Sequence, residues 1–263
     1  MNNINITEQN GFFENFNFIK PLNVIIKQKT ESTNTDAKLL AEQGNTDSLV
    51  IALEQTSGKG RLDRKFFSPV NTGIYMSLLL RPNIEDKDVT FLTSLAAVAV
   101  AKAIEKRTSK KAYIKWVNDI YINDKKVCGI LCGSSFCSNG KLNYAIIGIG
   151  INLNTPKEGF PNDIKDIATS IFDNNVVTAK ERTKLIECIV DEILNGLNNG
   201  IKAHLKEYKE RSYLNGKTVS FFKEGKNISA TVKGIDDNCN LILETKNGET
   251  ISLCAGEVSV KQG

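Results

Sequence analysis

Histidine is nearly missing from this chain: its 263 residues hold one, His204, with one tryptophan, two methionines and five prolines. A Ser-His-Asp triad needs an imidazole near a nucleophile. His204 lies in the charged stretch KAHLKE, far from any nucleophile signature, and that mechanism is excluded. A zinc hydrolase of the HExxH type needs two histidines on one helix face, and is excluded as well. His204 itself reads as a partly exposed helix residue. No secretory leader is expected, because MNNINITEQN has neither a basic start nor a continuous apolar stretch. Long hydrophobic runs are lacking too: the best, SLAAVAVAKAI at 94–104, is too short to span a bilayer. Charge of one sign is scarce, with 34 basic against 30 acidic residues and a net charge of +4, which argues against a dedicated nucleic-acid or membrane surface. The six cysteines (Cys128, Cys132, Cys137, Cys188, Cys239, Cys254) contain no tight CxxC pair of the zinc-site kind. A chain of this length needs no disulfide staples, so they read as small hydrophobes along buried strands, reduced in a cytosol. The expectation is a cytoplasmic protein with no membrane association.

What is present is ordinary globular material, 41% hydrophobic and 24% charged, long enough for one large or two smaller domains. Residues 1–20 are rich in Asn and Phe without clear periodicity. A strand at 22–26 leads into Thr30-Glu31-Ser32-Thr33-Asn34, rich in N-cap residues, and a short helix ending at Gly44. Strands are expected at 48–54 and 74–81, on either side of a glycine-rich loop at 55–65, with an alanine-rich buried helix at 88–107. Three further β segments follow (113–122, 126–136 and 142–149), with Asn123-Asp124 as a turn signal. Thr178-x-x-Glu181 is a capping box opening a helix that buries one face, and a more polar helix covers 201–211. Beyond Asn215-Gly216 the pattern changes to period two (Val219/Phe221, Ile228/Ala230/Val232, Leu241/Leu243, Ile251/Leu253), predicting four or five short strands in a small SH3-like barrel.

Three polar clusters interrupt otherwise apolar strands, and such interruptions are where a site is expected. The first, Gln55 to Lys65, combines Gly58 and Gly60 with Lys59, Arg61, Arg64 and Lys65, which suits an anion such as phosphate or a basic surface turn equally well. The second is Lys115-Trp116-Val117-Asn118-Asp119, either a bulge aiming polar groups into a cleft or a simple edge turn. The third is Lys126-Val127-Cys128-Gly129-Ile130-Leu131. Strict alternation places Lys126 on one strand face with Cys128 and Ile130, either snorkelling or held for catalysis. Gly129 would let a flat ligand lie on the backbone.

Taken together, these motifs resemble the biotin protein ligase family (biotin–acetyl-CoA-carboxylase ligases). Its Ser-Thr-Asn step, GRGRxxR loop, KWPND motif and KxxGIL strand find counterparts in Ser32-Thr33-Asn34, Gly58-Lys59-Gly60-Arg61-x-x-Arg64, Lys115–Asp119 and Lys126–Leu131, in the same order. Gly148-Ile149-Gly150-Ile151-Asn152 matches the glycine-rich segment that follows. The resemblance implies an α+β fold: a mixed β-sheet catalytic domain, class II synthetase-like, flanked by helices, with the SH3-like C-terminal domain behind it. The expected division is an N-terminal extension at 1–21, a catalytic domain at 22–213 and a C-terminal domain at 214–263.

The same resemblance implies the chemistry, which is formation of biotinyl-5′-AMP from biotin and ATP, then transfer of biotin to a lysine of a biotin carboxyl carrier protein. Biotin would meet Ser32, Thr33, Asn34, Gln55, Gly58, Lys59, Gly60, Arg61, Lys126, Gly129 and Gly148. ATP or the adenylate would meet Arg61, Arg64, Phe66, Trp116, Asn118, Lys126 and Asn152, with Phe66 offering an aromatic face to adenine. Lys126, Arg61 and Asp119 are the implied catalytic residues, Asp119 orienting or deprotonating the acceptor lysine. Mg²⁺ is implied because pyrophosphate must leave with its charge neutralised, without a strong protein cage and with Asp119 placed to touch the ion's other ligands. Two departures stand out. Lys59 replaces an arginine and loses its bidentate fork, and Val117 replaces the proline of KWPND.

Only 31 residues precede Ser32 and they show no helix-turn-helix pattern, so the likeness is to the monofunctional class, with no DNA and no membrane among its partners. Monomer and homodimer both stay open. Lipoate ligases share the fold and the acyl-adenylate chemistry, and a biotin-sensing regulator is the non-enzymatic alternative.

Overall fold

The computed structural model describes residues 11–172, 177–223 and 225–260. Seven strands make one mixed sheet: β1 (Asn23–Lys27), β2 (Ser48–Ala52), β3 (Gly73–Leu80), β4 (Tyr113–Lys115), β5 (Asp119–Ile122), β6 (Lys125–Phe136) and β7 (Leu142–Asn152). Their order across the sheet is β1-β2-β3-β7-β6-β5-β4. The β1/β2 pair is parallel, because helix α1 (Thr33–Glu42) is the crossover between them; all other neighbours are antiparallel. Every residue of β2 and β3 is buried, as expected of strands covered on both faces.

On one face Ile74, Met76, Leu78, Ile147, Ile149 and Ile151 pack in one core with helices α2 (Phe91–Thr108) and α3 (Ala179–Asn198). α2 is alanine-rich and buried almost all round, and α3 meets it so closely that a Cβ on Gly196 would lie 2.3 Å from Leu95. α3 opens on the complete Thr178/Glu181 capping box read from the sequence. On the opposite face α1 covers Val50, Leu79, Tyr144 and Ile146. Further along that face β7 presents Gly148 and Gly150, and the apolar cover gives way to a cleft.

The end of the expected N-terminal extension is tied down. Backbone N–H groups of Glu14, Asn17 and Ile19 donate to Thr183 Oγ1 (2.8 Å), Glu187 Oε1 (2.7 Å) and Asp191 Oδ1 (3.0 Å), acceptors spaced four residues apart on α3. Residues 1–10 of that extension lie outside the described residues.

A second, five-stranded antiparallel sheet follows the short helix α4 (Leu205–Glu210): β8 (Thr218–Lys223), β9 (Lys226–Ile235), β10 (Leu241–Thr245), β11 (Thr250–Leu253) and β12 (Val258–Val260), in the order β11-β10-β9-β8-β12. Val219, Phe221, Ala230, Val232, Leu241, Leu243 and Ile251 form its core, as the period-two pattern requires.

Three readings from the sequence need correction. His204 is buried, 8% exposed, at the N-cap of α4, since it and Tyr208 one turn later face inward while the charged neighbours face out. Of the cysteines only Cys128 and Cys239 are buried; Cys137 and Cys254 are exposed, and Cys188 lies on α3 rather than on a strand. Lys126 does not share a face with Cys128 and Ile130. Ile120 pairs with Cys128 and Tyr121 with Lys126, so Val127 is an extra residue on β6 that shifts the alternation by one. Val127, Cys128 and Ile130 go into the core, and Lys126 turns to the cleft with Gly129 and Leu131.

Candidate active site

The cleft encloses about 200 Å³ where the glycine-bearing parts of β6 and β7 meet the start of α1, the 55–67 loop and the turn before β5. Glycines make its floor. A Cβ on Gly150 would lie 2.6 Å from the Phe66 ring, which lies across this part of the sheet, edge-on to Tyr75 at 6.4 Å between centroids. Gly129 leaves the same kind of room beside Lys126.

One end of the cleft is neutral and polar. Gln55 Oε1 accepts the Thr33 backbone N–H (2.9 Å), and Gln55 Nε2 donates to Ser68 Oγ (3.0 Å), whose hydroxyl donates to the Phe66 carbonyl (2.9 Å). Ser32, Thr33, Asn34 and Gln55 line this end, and Leu131 gives the middle an apolar side chain. The other end is cationic, with Lys59, Arg61, Arg64, Lys65 and Lys126 against the carboxylates of Asp119 and Glu257.

The cationic loop is a closed hairpin. Phe66 N–H donates to Gly58 O (2.8 Å), Gly60 N–H to Arg64 O (2.7 Å), and the tip residues Leu62 and Asp63 are left-handed (φ 52° and 58°). Arg61 donates to Asn118 Oδ1 (3.2 Å) and to the Gly256 carbonyl (3.0 Å), and Arg64 pairs with Glu257 at 2.5 Å. The C-terminal domain thus reaches the rim of the cleft through its 256–257 turn.

Asn118 also donates from Nδ2 to Ile130 O (2.6 Å), which fixes its Oδ1 toward Arg61. Lys126 Nζ lies 2.8 Å from Asp119 Oδ1, and its backbone is clamped to Ile167 O and Thr169 N–H (2.8 and 2.9 Å). Lys115 stands behind this pair. Burial pushes its ammonium pKa below the ordinary value, with Lys126 and Arg64 acting in the same sense and Asp119 and Glu257 opposing. The Trp116–Val117 peptide between them is cis. Among the described residues no group of three or more His, Cys, Asp or Glu is placed to hold a metal ion. Such a cleft suits a ligand with a neutral polar head, a short apolar chain and an anionic, phosphate-bearing end.

Two family profiles match the chain: the biotin/lipoate A/B protein ligase family over residues 24–152, and the biotin protein ligase C-terminal domain over 215–261. The bifunctional ligase/repressor BirA of Bacillus spizizenii is 35% identical over 234 residues, 86% of this chain and 70% of the relative. The chain belongs to the biotin protein ligase family. The biotin–[acetyl-CoA-carboxylase] ligase of Paracoccus denitrificans is 35% identical over 127 residues, 48% of this chain and 52% of that protein. Among solved structures, the biotin protein ligase of Aquifex aeolicus with biotin and ATP superposes with a TM-score of 0.70 at 24% identity, covering 91% of this chain and 99% of that one.

Within this family member the cleft gathers every site residue expected from the sequence except two. Gly58 does not line it; it closes the base of the hairpin, where a Cβ would lie 2.5 Å from Phe66 O. Trp116 is buried in the core of the C-terminal domain, with Nε1 donating to Cys239 O (2.8 Å), so it joins the two domains and does not line the cleft. Sequence reasoning missed Ile164, Ile167 and Ala168, which come from an irregular segment without periodicity, and Glu257, remote in the chain.

Proposed function

We propose that the protein activates biotin with ATP as biotinyl-5′-AMP and passes the biotinyl group to a lysine of a biotin carboxyl carrier domain. The observation that carries this reading is the polarity of one continuous cleft: neutral donors and acceptors at one end, five cations at the other, and the Lys126–Asp119 pair near the junction. Ser32, Thr33, Asn34 and Gln55 take the uncharged bicyclic head, and Leu131 flanks its valerate chain. Lys126 and Arg61 offset repulsion between the biotin carboxylate and the α-phosphate as the carboxylate oxygen attacks phosphorus and pyrophosphate leaves. Magnesium enters with ATP as part of the substrate.

In the second step the acceptor amine attacks the acyl carbon, AMP leaves with the mixed-anhydride oxygen, and one proton is released. Asp119 is placed to take or steer that proton once Lys126 shifts toward the leaving phosphate. Phe66 provides a flat surface for adenine over Gly150, and Asn118, Arg64 and Asn152 border the nucleotide. The division into an extension (1–21), a catalytic domain (22–213) and a C-terminal domain (214–263) belongs to the same reading, as does a cytoplasmic location. Acetyl-CoA carboxylase is the proposed owner of the carrier domain, supported by the name of the Paracoccus relative.

The test mixes the protein with ATP, magnesium, biotin and a biotin carrier domain, then detects label with streptavidin. Label dependent on all components is the expected result; folded protein that leaves every carrier domain unlabelled overturns the reading. The lipoate alternative is separated by calorimetry, in which biotin binds and lipoate does not.

A further inference from the structure

Ser77 is fully buried at the centre of β3, between the apolar Met76 and Leu78. A buried hydroxyl is costly unless it is paired. Its partners are Asn34 Oδ1 at 2.5 Å and Thr33 Oγ1 at 2.8 Å, both from the first turn of α1 and both lining the neutral end of the cleft.

The sheet register explains how they meet. Ser77 pairs with Gly148, and Gly148 pairs with Leu131, making one row across β3, β7 and β6. The Asn34 amide lies along this row, its Oδ1 on Ser77 and its Nδ2 donating to Leu131 O at 3.2 Å. Gly148 is what makes room, since a Cβ there would lie 2.0 Å from Asn34 Oδ1.

The donor directions follow from the connections. The Leu131 carbonyl can only accept, so Asn34 must turn Nδ2 to it and Oδ1 to Ser77. The single proton of Ser77 is thus shared between Asn34 Oδ1, the nearer acceptor, and Thr33 Oγ1. Gln55 Oε1 accepts both the Thr33 backbone N–H at 2.9 Å and the Thr33 hydroxyl at 3.2 Å. With both amides held this way, one N–H of Asn34 Nδ2 and one of Gln55 Nε2 are left for a ligand.

We propose that Ser77 is a positioning residue for biotin recognition: it sets the sense of the Thr33–Asn34–Gln55 network, so that the pocket presents amide N–H donors to an acceptor on the bound head group. It touches no ligand and acts through Asn34 and Thr33. This inference rests on the biotin reading above.

The experiment measures biotin affinity by calorimetry for wild type, Ser77→Ala, Asn34→Ala and the double variant, with thermal unfolding of each unliganded protein as a folding control. Ser77→Ala should weaken biotin binding by about tenfold, the effect of leaving a buried acceptor unpaired. In steady state it should raise the KM for biotin with little change in kcat or in the KM for ATP. In the Asn34→Ala background the same change should cost nothing further. Wild-type affinity in folded Ser77→Ala, or a full additive loss in the double variant, would overturn the proposal. If Ser77→Ala does not fold, Ser77→Cys replaces it: intermediate affinity supports the role, and wild-type affinity overturns it. Failure of the wild-type protein to bind biotin overturns the underlying reading instead, which keeps the two failures apart.

Discussion

His204 is the one imidazole of the chain, and its surroundings fix both its tautomer and its response to acid. Ser94 Oγ donates to Phe91 O (3.0 Å), so the 2.7 Å contact between Ser94 Oγ and His204 Nε2 must be a donation from the ring. Nδ1 then carries the lone pair, and it has no hydrogen-bond partner among the described residues. Protonation there would create a buried cation, and burial pushes the His204 pKa down to about 4, against smaller opposing effects of the Ile201 backbone and Glu207. The unfolded chain titrates near the ordinary 6.5, so it binds more protons than the folded protein between these values, and stability must fall as pH drops through that window. Between pH 7 and pH 5 the shift corresponds to a loss of about 2 kcal/mol from this residue alone. Urea unfolding at the two pH values, in wild type and in His204→Gln, isolates the term, because the carboxylates titrate equally in both. NMR reads it directly, since a single imidazole gives a single set of ring signals. A pKa near 6.5 in the folded protein, or an unchanged pH dependence in His204→Gln, would refute the reasoning.

Three further outcomes follow from the geometry. Lys126→Met removes the cation beside Asp119 and should slow adenylate formation by about a hundredfold or more, followed in a single-turnover assay. Trp116→Phe removes the donor to the buried Cys239 carbonyl and should cost about 1–3 kcal/mol in urea unfolding while leaving the KM for ATP unchanged; a raised KM with unaltered stability would return Trp116 to the nucleotide. Transfer to the carrier lysine, whose free amine has a pKa of about 10.4, should speed up about tenfold per pH unit below it, with adenylate formation varying less. Parallel profiles for the two half-reactions would argue against a proton role for Asp119.

Much of the cleft was legible because its chemistry lies in short contiguous motifs: the 32–34 step, the 58–66 loop, 118–119 and 126–131 all meet in one place. The phase of β6 was not legible, because one extra residue, Val127, reverses which face Lys126 occupies, and a bulge leaves no mark in hydrophobic alternation. Trp116 sat inside a site motif yet belongs to the core of the other domain, a contact between segments more than a hundred residues apart that periodicity cannot report. His204 was misread because its charged neighbours mask a buried i, i+4 pair with Tyr208. The C-terminal strands were readable because their alternation is undisturbed, whereas the brace from Gly256 and Glu257 to the loop arginines depends on how the two domains pack.

The proposed activity joins biotin to a nucleotide in this cleft. The measurement that meets it most directly is exchange of labelled pyrophosphate into ATP, which requires reversible adenylate formation and no carrier protein. Exchange should depend on biotin and be lost in Lys126→Met. No exchange with biotin from folded protein, or equal exchange with lipoate, would contradict it.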